Sequence, residues 1–488
     1  MRRTGVHPLL PCVVVLTILC AFTRASADAD KVRVLAEGPG AGHFLCWRGK
    51  PLLLCGDSIT QGWMECGRNL DQVAYVDALA ERGINLLMLW AFKGTSAAIQ
   101  QRDARLGYDA PEIMPWCGSA DRRDFDLHRF NDEYFSRLRG LVTHAERRAI
   151  VVLVTVHDGW PKTCFDGHPF HRALGNGPLD DKRQYVELAH FDREMPATFS
   201  AAWNRAEQNQ YFQERFCERL IAELNSCSNV LYEMCNEGEW YDAALRHQHE
   251  QHFLAFFRRR CTNVLLSNSD HIRHDTPHAD DKVDVITLHP RDWVGHFADF
   301  AAGFGQVPPK PYLYSEPVPE FDGQQPTLDV VRQSMWETLL AGAGWVNQND
   351  PSFGWDPRAA IASQRMARDR AYDLAGHCAR FFKQSGIAFW RLTPHGELCS
   401  TGVCSAQPGT EYVAYAPSGG SFTMDLSHAG DAVLRARWYN PRKGEFRDAA
   451  LIGGGSARQS FTPPWPGDAV LHLVRCDGSS PAAGRPVP

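Results

Sequence analysis

Between residues 50 and 350 the chain alternates eight short apolar runs with helical patterns. The runs are Pro51–Gly56, Ile84–Ala91, Ile150–Val156, Val230–Cys235, Val264–Ser267, Val283–Leu288, Tyr312–Tyr314 and Gly344–Val346. They are rich in Leu, Val and Ile and little interrupted by polar residues, as strands buried on both faces of a parallel sheet must be. Between them, Phe130, Tyr134, Leu138, Leu141 and Ala145 recur at helical spacing behind a capping Asn131. Leu70, Val73 and Val76 open another helix that Gly83 can end, and Ala206–Leu224 reads as a third. Pro357 suits the first turn of a long last helix reaching about Lys383. Strand–helix units in this number predict an α/β fold closed as a (β/α)8 TIM barrel. An open doubly wound sheet would want a G-x-G-x-x-G loop after its first strand, and none stands there.

The flanks divide the chain further. Arg2 and Arg3, the apolar stretch Leu9–Phe22 and the small residues Ala25-Ser26-Ala27 form the three parts of an export signal, so residues 1–27 are expected to be cleaved and the protein to be secreted or periplasmic. No later stretch is apolar enough for a membrane span. The barrel then takes residues 28–384, with the part before Gly49 as a small strand or hairpin over its floor. From about Gly386 the pattern changes: Phe389–Leu392, Tyr412–Tyr415, Phe422–Leu426, Val433–Tyr439 and Val470–Val474 read as short strands between turns, predicting a small antiparallel β-sandwich over 385–476. Residues 477–488, rich in Gly, Ser and Pro, form a tail. A long insertion, 157–229, separates the third and fourth barrel strands and belongs over the C-terminal face. In an oxidising compartment some of the 13 cysteines that remain after the signal should pair, Cys399 with Cys404 being the best local pair and Cys217 with Cys227 a second.

With 51 basic against 57 acidic side chains, the net charge of −6 offers no cationic surface for nucleic acid. The 14 Trp are compatible with sugar platforms, though most such rings simply fill cores. No C-x-x-C pair suggests a metal site, and no cofactor is implied. His247, His249 and His252 look like a solvated helix face, while His168, His171 and Asp166 are at most a cation site in the insertion.

Barrel enzymes place reacting groups where strands end. The fourth run ends in Tyr232-Glu233-Met234-Cys235-Asn236-Glu237 and the seventh in Tyr312-Leu313-Tyr314-Ser315-Glu316. Two carboxyl groups facing one cavity suit glycoside hydrolysis, in which one holds a proton for the leaving oxygen and the other attacks the anomeric carbon. A separation of about 5–5.5 Å would mark a retaining enzyme, and the carboxyl that serves as the acid should have a raised pKa. Glu233 is expected to be buried, paired and turned from the mouth. Asp57, Ser58, Trp90, His157, Asp158, Trp345 and Asn347 at strand ends, with Trp160 and Trp240 just beyond, are candidates for positioning substrate.

These motifs resemble the clan A glycoside hydrolases, retaining enzymes on this barrel. The resemblance implies that Glu237 is the acid/base, that Glu316 is the nucleophile, that Asn236 binds the sugar 2-hydroxyl and that His289, in Leu288-His289-Pro290, touches the nucleophile. It also implies a carbohydrate substrate. Within the clan, Trp47-Arg48-Gly49-Lys50-Pro51-Leu52 and Gly56-Asp57-Ser58 are similar to the apiosidase-like group. So is the region of Tyr412–Gly420, Ala436–Arg442 and Gly444, which resembles that group's "putative collagen-binding domain of a collagenase". Strand four departs from the group, reading Asn-Glu where Gly-Glu is usual, so its substrate does not carry over.

Two other readings compete. Gly56-Asp57-Ser58-Ile59 is close to the nucleophile block of GDSL-type esterases, with Ser58 attacking an ester. That reading lacks a Gly-x-Asn-Asp block, and Asp275-Thr276-Pro277-His278, which has the right letters for its Asp-x-x-His, sits in a polar loop rather than near the chain end. The other alternative is a non-catalytic carbohydrate-binding barrel. Sugar, linkage, endo or exo action and oligomeric state are not legible in the sequence.

Overall fold

The computed structural model describes residues 30–59, 71–92, 113–159, 162–268, 278, 280–289, 294–315, 327–349, 362–455 and 458–476. Three short antiparallel strands come first: β1 (Arg33–Val34), β2 (Leu45–Trp47) and β3 (Lys50–Leu52). Val32, Leu45 and Trp47 pack with the inward side chains Leu86, Met88, Leu153, Leu231 and Leu313, so the hairpin plugs the barrel floor. Trp47 Nε1 donates to Ser228 Oγ at 3.0 Å, so the indole is buried with its N–H satisfied.

The barrel strands are β4 (Cys55–Ile59) and β5 (Leu86–Trp90), separated by α1 (Gln72–Arg82). A small hairpin, β6 (Trp116–Cys117) with β7 (Asp126–Phe130), then leads into α2 (Asp132–Arg147). The sheet continues with β8 (Val151–Asp158), α3 (Arg205–Leu224), β9 (Val230–Asn236), α4 (Ala243–Arg258), β10 (Val264–Leu266) and β11 (Ile286–Leu288). It is completed by α5 (Phe297–Phe304), β12 (Tyr312–Tyr314), α6 (Leu328–Leu340), β13 (Gly344–Asn349) and α7 (Ala362–Ser385). Among the described residues eight parallel strands run in the order β10-β9-β8-β5-β4-β13-β12-β11. A parallel bridge between Leu266 and Val285 closes the ring.

The cap residues do what their chemistry allows. Asn131 accepts from the Glu133 amide at 3.2 Å, and Asn204 forms a reciprocal capping box with Glu207. Gly83 ends α1 at φ 85°, where a Cβ would be strained. The first barrel strand is Cys55–Ile59 rather than Pro51–Gly56. Lys50–Leu52 pairs antiparallel with Leu45–Trp47 instead, so the apolar Pro51 and Leu52 belong to the floor plug. Pro357 lies outside the described residues.

After α7 come β14 (Thr393–Pro394), β15 (Cys404–Gln407), β16 (Glu411–Ala416), β17 (Phe422–Met424), β18 (Val433–Asn440), β19 (Glu445–Gly453), β20 (Gln459–Phe461) and β21 (Ala469–Arg475). They form a six-stranded antiparallel sheet, order β14-β15-β16-β21-β18-β19, and a two-stranded one, β17-β20. Phe389–Arg391, expected as strand, is a short 3-10 turn.

The sandwich is bonded to the barrel by a buried ion pair. Arg332 of α6 donates to Asp468 from Nε at 2.5 Å and Nη2 at 2.9 Å, and Tyr415 adds its hydroxyl at 3.0 Å. Trp336 of α6 stacks on Tyr415.

The expected disulfides are absent. Among the described residues Cys46, Cys55, Cys117, Cys217, Cys227, Cys235, Cys261, Cys378, Cys399, Cys404 and Cys476 are free thiols. Cys399 Sγ lies 3.1 Å from Thr401 Oγ1, and Cys217 Sγ faces His157 Nε2 at 3.8 Å. Burial holds the Cys217, Cys378 and Cys404 thiols well above their ordinary pKa, which makes them inert core residues. No helix among the described residues is long and apolar enough to cross a membrane.

Candidate active site

The strand alternation decides what each strand end presents. In β8, Val151 and Leu153 face the barrel interior, while Val152, Val154 and Val156 face the helices. Thr155 follows the inward set: its hydroxyl donates to Glu233 Oε2 at 2.7 Å, across to the neighbouring strand. Glu233 is fully buried. At the mouth the alternation breaks on both strands. Met234 and Cys235 of β9 both lie on the helix side, and in β8 His157 follows Val156 there.

His157 is therefore turned away from the mouth. Its Nδ1 meets Tyr185 Oη at 2.9 Å, and its ring packs on His249 and Phe253 of α4. Burial, with help from His252 and Lys182, pushes its pKa down to about 3. Burial also holds His168 and His249 well below the usual histidine value. The unfolded chain takes these protons near pH 6.5 and the folded chain refuses them, so stability is full above that pH and falls below it. Thermal unfolding is expected to show a melting temperature that drops steadily from pH 7 to pH 4. A flat profile would contradict the neutral, buried state of the three rings.

Glu237 is the first residue past β9. It is 4% exposed and its backbone is left-handed, φ 49° and ψ 48°, a conformation that a non-glycine residue adopts only when its surroundings hold it. His289, the residue after β11, is 2% exposed and brings Nδ1 to 3.8 Å from Glu237 Oε1. The ends of the fourth and sixth barrel strands thus converge, joining two of the residues expected at the site. Asn236 stands beside them, 1% exposed, in register with Asp158. Glu316 lies outside the described residues, one position after the fully buried Ser315. Trp160 lies outside them too.

Other candidates sit deeper. Asp57 is fully buried and accepts from Asn347 Nδ2 at 2.7 Å, from Tyr372 Oη at 3.1 Å and from Tyr75 Oη. Tyr75 and Tyr372 come from α1 and α7, so Asp57 ties the first and last strands to the helix layer. Trp345 also faces helices, donating from Nε1 to Ser334 Oγ of α6 at 3.1 Å. Trp90 fills the barrel interior with no exposure. Trp240, in the 3-10 turn Gly238–Trp240 that Glu237 opens, is 44% exposed.

Ser58 is buried and donates to Asn347 O at 3.1 Å. His278 bonds Tyr312 at 2.6 Å, at the start of β12 and hence at the floor, the opposite end of the barrel from Ser58. The residues a Ser58-centred esterase would need are therefore not brought together.

The insertion is not the loose turn-rich loop its composition suggests. It contains 3-10 turns Lys162–Gly167, Arg172–Leu174 and Lys182–Val186 and is pinned by buried polar groups. Asn209 Nδ2 donates to the carbonyls of Gln184, Tyr185 and Glu187, and Gln213 Nε2 donates to Tyr185 O. His249 and His252, expected to be solvated, are buried by this packing. His249 Nε2 meets Gln213 Oε1 at 2.7 Å, and His252 Nε2 meets Glu214 Oε1 at 2.8 Å. His168 and His171 accept from the amides of Phe170 and Ala173. Among the described residues no three ligating side chains converge on a metal-sized site.

Sequence reasoning missed Lys182, which pairs with Asp158. Its only signal was its place directly after the turn pair Asp180-Asp181.

Comparison with known proteins agrees with this architecture. Residues 400–473 match the family model described as "Putative collagen-binding domain of a collagenase". No curated protein matches the chain. Among solved structures it is similar to a glycoside hydrolase family 5 protein from Bacteroides vulgatus, at 13% identity over 91% of this chain and 94% of that one, with a TM-score of 0.62. A structure described as a "putative glycoside hydrolase" from the same organism gives 11% identity, 92% and 83% coverage and a TM-score of 0.65. At such identities the likeness is one of fold. The chain shares the eight-stranded barrel fold of these structures, and the sandwich that follows it contains the residues matched by that domain model.

Proposed function

We propose that the protein is an exported, retaining glycoside hydrolase that cleaves O-glycosidic bonds of a poly- or oligosaccharide with Glu237 and Glu316. The observation that supports this most is the buried Glu237 held in a left-handed backbone at the end of the fourth barrel strand, facing His289 from the sixth. Glu237 gives its proton to the glycosidic oxygen while Glu316 attacks the anomeric carbon. The C–O bond breaks, the leaving alcohol keeps the proton, and a glycosyl ester forms on Glu316. Glu237, now a carboxylate, takes a proton from water as that water attacks the same carbon and frees Glu316. Asn236 is placed to bind the 2-hydroxyl, whose hydrogen bonds strengthen in the transition state. The insertion that leaves the end of the third barrel strand is where a choice between chain ends and internal bonds would be made.

A screen of aryl glycosides and polysaccharides, with the anomeric product followed by NMR, tests the reading. The first-formed sugar is expected to keep the configuration of the substrate. Inversion, or turnover only of sugar esters, would overturn it.

A further inference from the structure

Lys182 is 2% exposed, and a buried ammonium is tolerated only beside an opposite charge. Its Nζ lies 3.5 Å from Oδ2 of Asp158, itself 2% exposed. Asp158 is also held through its main chain, because Tyr241 Oη donates to its carbonyl at 3.3 Å. The next residue, Gly159, donates its amide to Asn236 O at 2.7 Å. A Cβ on Gly159 would stand 2.4 Å from Asn236 O and 2.5 Å from Glu237 O, so the two backbones meet there with no room for a side chain. On the far side of that contact is Glu237 with its positive φ of 49°. A continuous set of contacts therefore runs from the insertion to the acid: Lys182, Asp158, Gly159, Asn236, Glu237. The insertion does not need Lys182 to stay docked, since Asn209 and Gln213 hold the backbone of the same turn independently.

We propose that Lys182 is a positioning residue for Glu237: its ion pair with Asp158 presses Gly159 against the Asn236–Glu237 peptide and keeps the carboxyl in line with the bond it protonates. The role given to Glu237 rests on the glycosidase reading; the clasp itself does not.

The test uses the full chain carrying Lys182→Met, the pair Lys182→Met with Asp158→Asn, and Glu237→Gln. For each, kcat and KM are measured on a glycoside the wild type turns over, together with hydrogen exchange of the peptides covering Gly159 and residues 236–240. Lys182→Met is expected to lower kcat about 10- to 100-fold while KM stays within about twofold, since a small misplacement of a reacting group costs rate rather than binding. Exchange at Gly159 should quicken. The double variant also neutralises Asp158, so its melting temperature should return toward wild type while kcat stays low. A merely structural ion pair would let both recover. The proposal is overturned if kcat stays within about twofold of wild type in Lys182→Met, if it recovers to that range in the double variant, or if Gly159 exchanges no faster. Full activity in Glu237→Gln would sink the glycosidase reading instead, and the exchange result would still decide whether the clasp exists.

Discussion

Glu237→Gln is expected to lower turnover of a glycoside with a poor leaving group by about 10²- to 10⁴-fold, the range a positioned general acid supplies. The amide keeps the size of the carboxyl and its hydrogen-bonding capacity, so the loss reports the missing proton. Aryl glycosides with an acidic phenol should lose far less in the first step, because such an anion leaves without protonation. Their limit becomes the attack of water on the glycosyl-enzyme, which also needs Glu237, now as a base. Azide, a nucleophile that has no proton to lose, should bypass that second step and yield a glycosyl azide of retained configuration. Steady-state kinetics on the two substrate types, with and without azide, check this. Equal losses on both substrates with no azide effect would mean that Glu237 holds the fold together and does not transfer protons. The left-handed backbone and 4% exposure of Glu237 give that alternative real content, so far-ultraviolet circular dichroism of the variant belongs in the experiment.

Asp468→Ala is expected to destabilise the protein by about 3–5 kcal/mol, the usual cost of stranding one member of a buried ion pair. Arg332 is 4% exposed and would keep its charge with its main partner removed, while Tyr415 would lose the acceptor of its hydroxyl. Arg442, whose Nε lies 3.4 Å from Asp468, would lose an acidic neighbour as well. Because this carboxylate joins α6 of the barrel to the sandwich, the variant should unfold in two denaturant transitions where the wild type shows one. Combining Asp468→Leu with Arg332→Met should recover most of the loss, since an apolar pair of similar volume need not be solvated. Urea unfolding followed by tryptophan fluorescence measures all three proteins. A change under about 1 kcal/mol for Asp468→Ala would show the pair to be no better than a surface contact.

Much of the architecture is legible in the sequence because parallel barrel strands bury both faces. Runs as short as Tyr312–Tyr314 were readable for that reason, and the caps Asn131 and Gly83 follow from local chemistry. The errors share one cause, which is that tertiary packing decides what local pattern leaves open. Pro51 and Leu52 are apolar enough for a barrel strand but pair with the floor hairpin. Cys55–Ile59 contains Gly, Asp and Ser and reads poorly as a strand, yet Asn347 and two tyrosines satisfy its buried carboxylate. β19 has exposed residues on both faces and carries no apolar periodicity to find. His249 and His252 lie on a polar helix face that only the insertion covers.

At the site, Glu237 was placed by counting strand ends and His289 only through the family resemblance, and the structure brings these two side chains near each other. His157 and Trp345 were not, since a strand end does not reveal which way its side chain turns. Lys182 was illegible for another reason: its partner lies across a fold boundary that no local spacing marks. The cysteines misled because adjacency in sequence says nothing about whether two Sγ atoms can meet in bonding geometry.

The positive φ of Glu237 also bears on how such a chain can drift. Glycine is the residue that backbone would prefer, so selection for robustness alone pulls this position toward a replacement that would remove the acid/base of the proposed mechanism. If Glu237 has the proposed role, a lineage relieved of hydrolytic duty would be expected to decay first here, gaining thermal resistance in the same step that silences it.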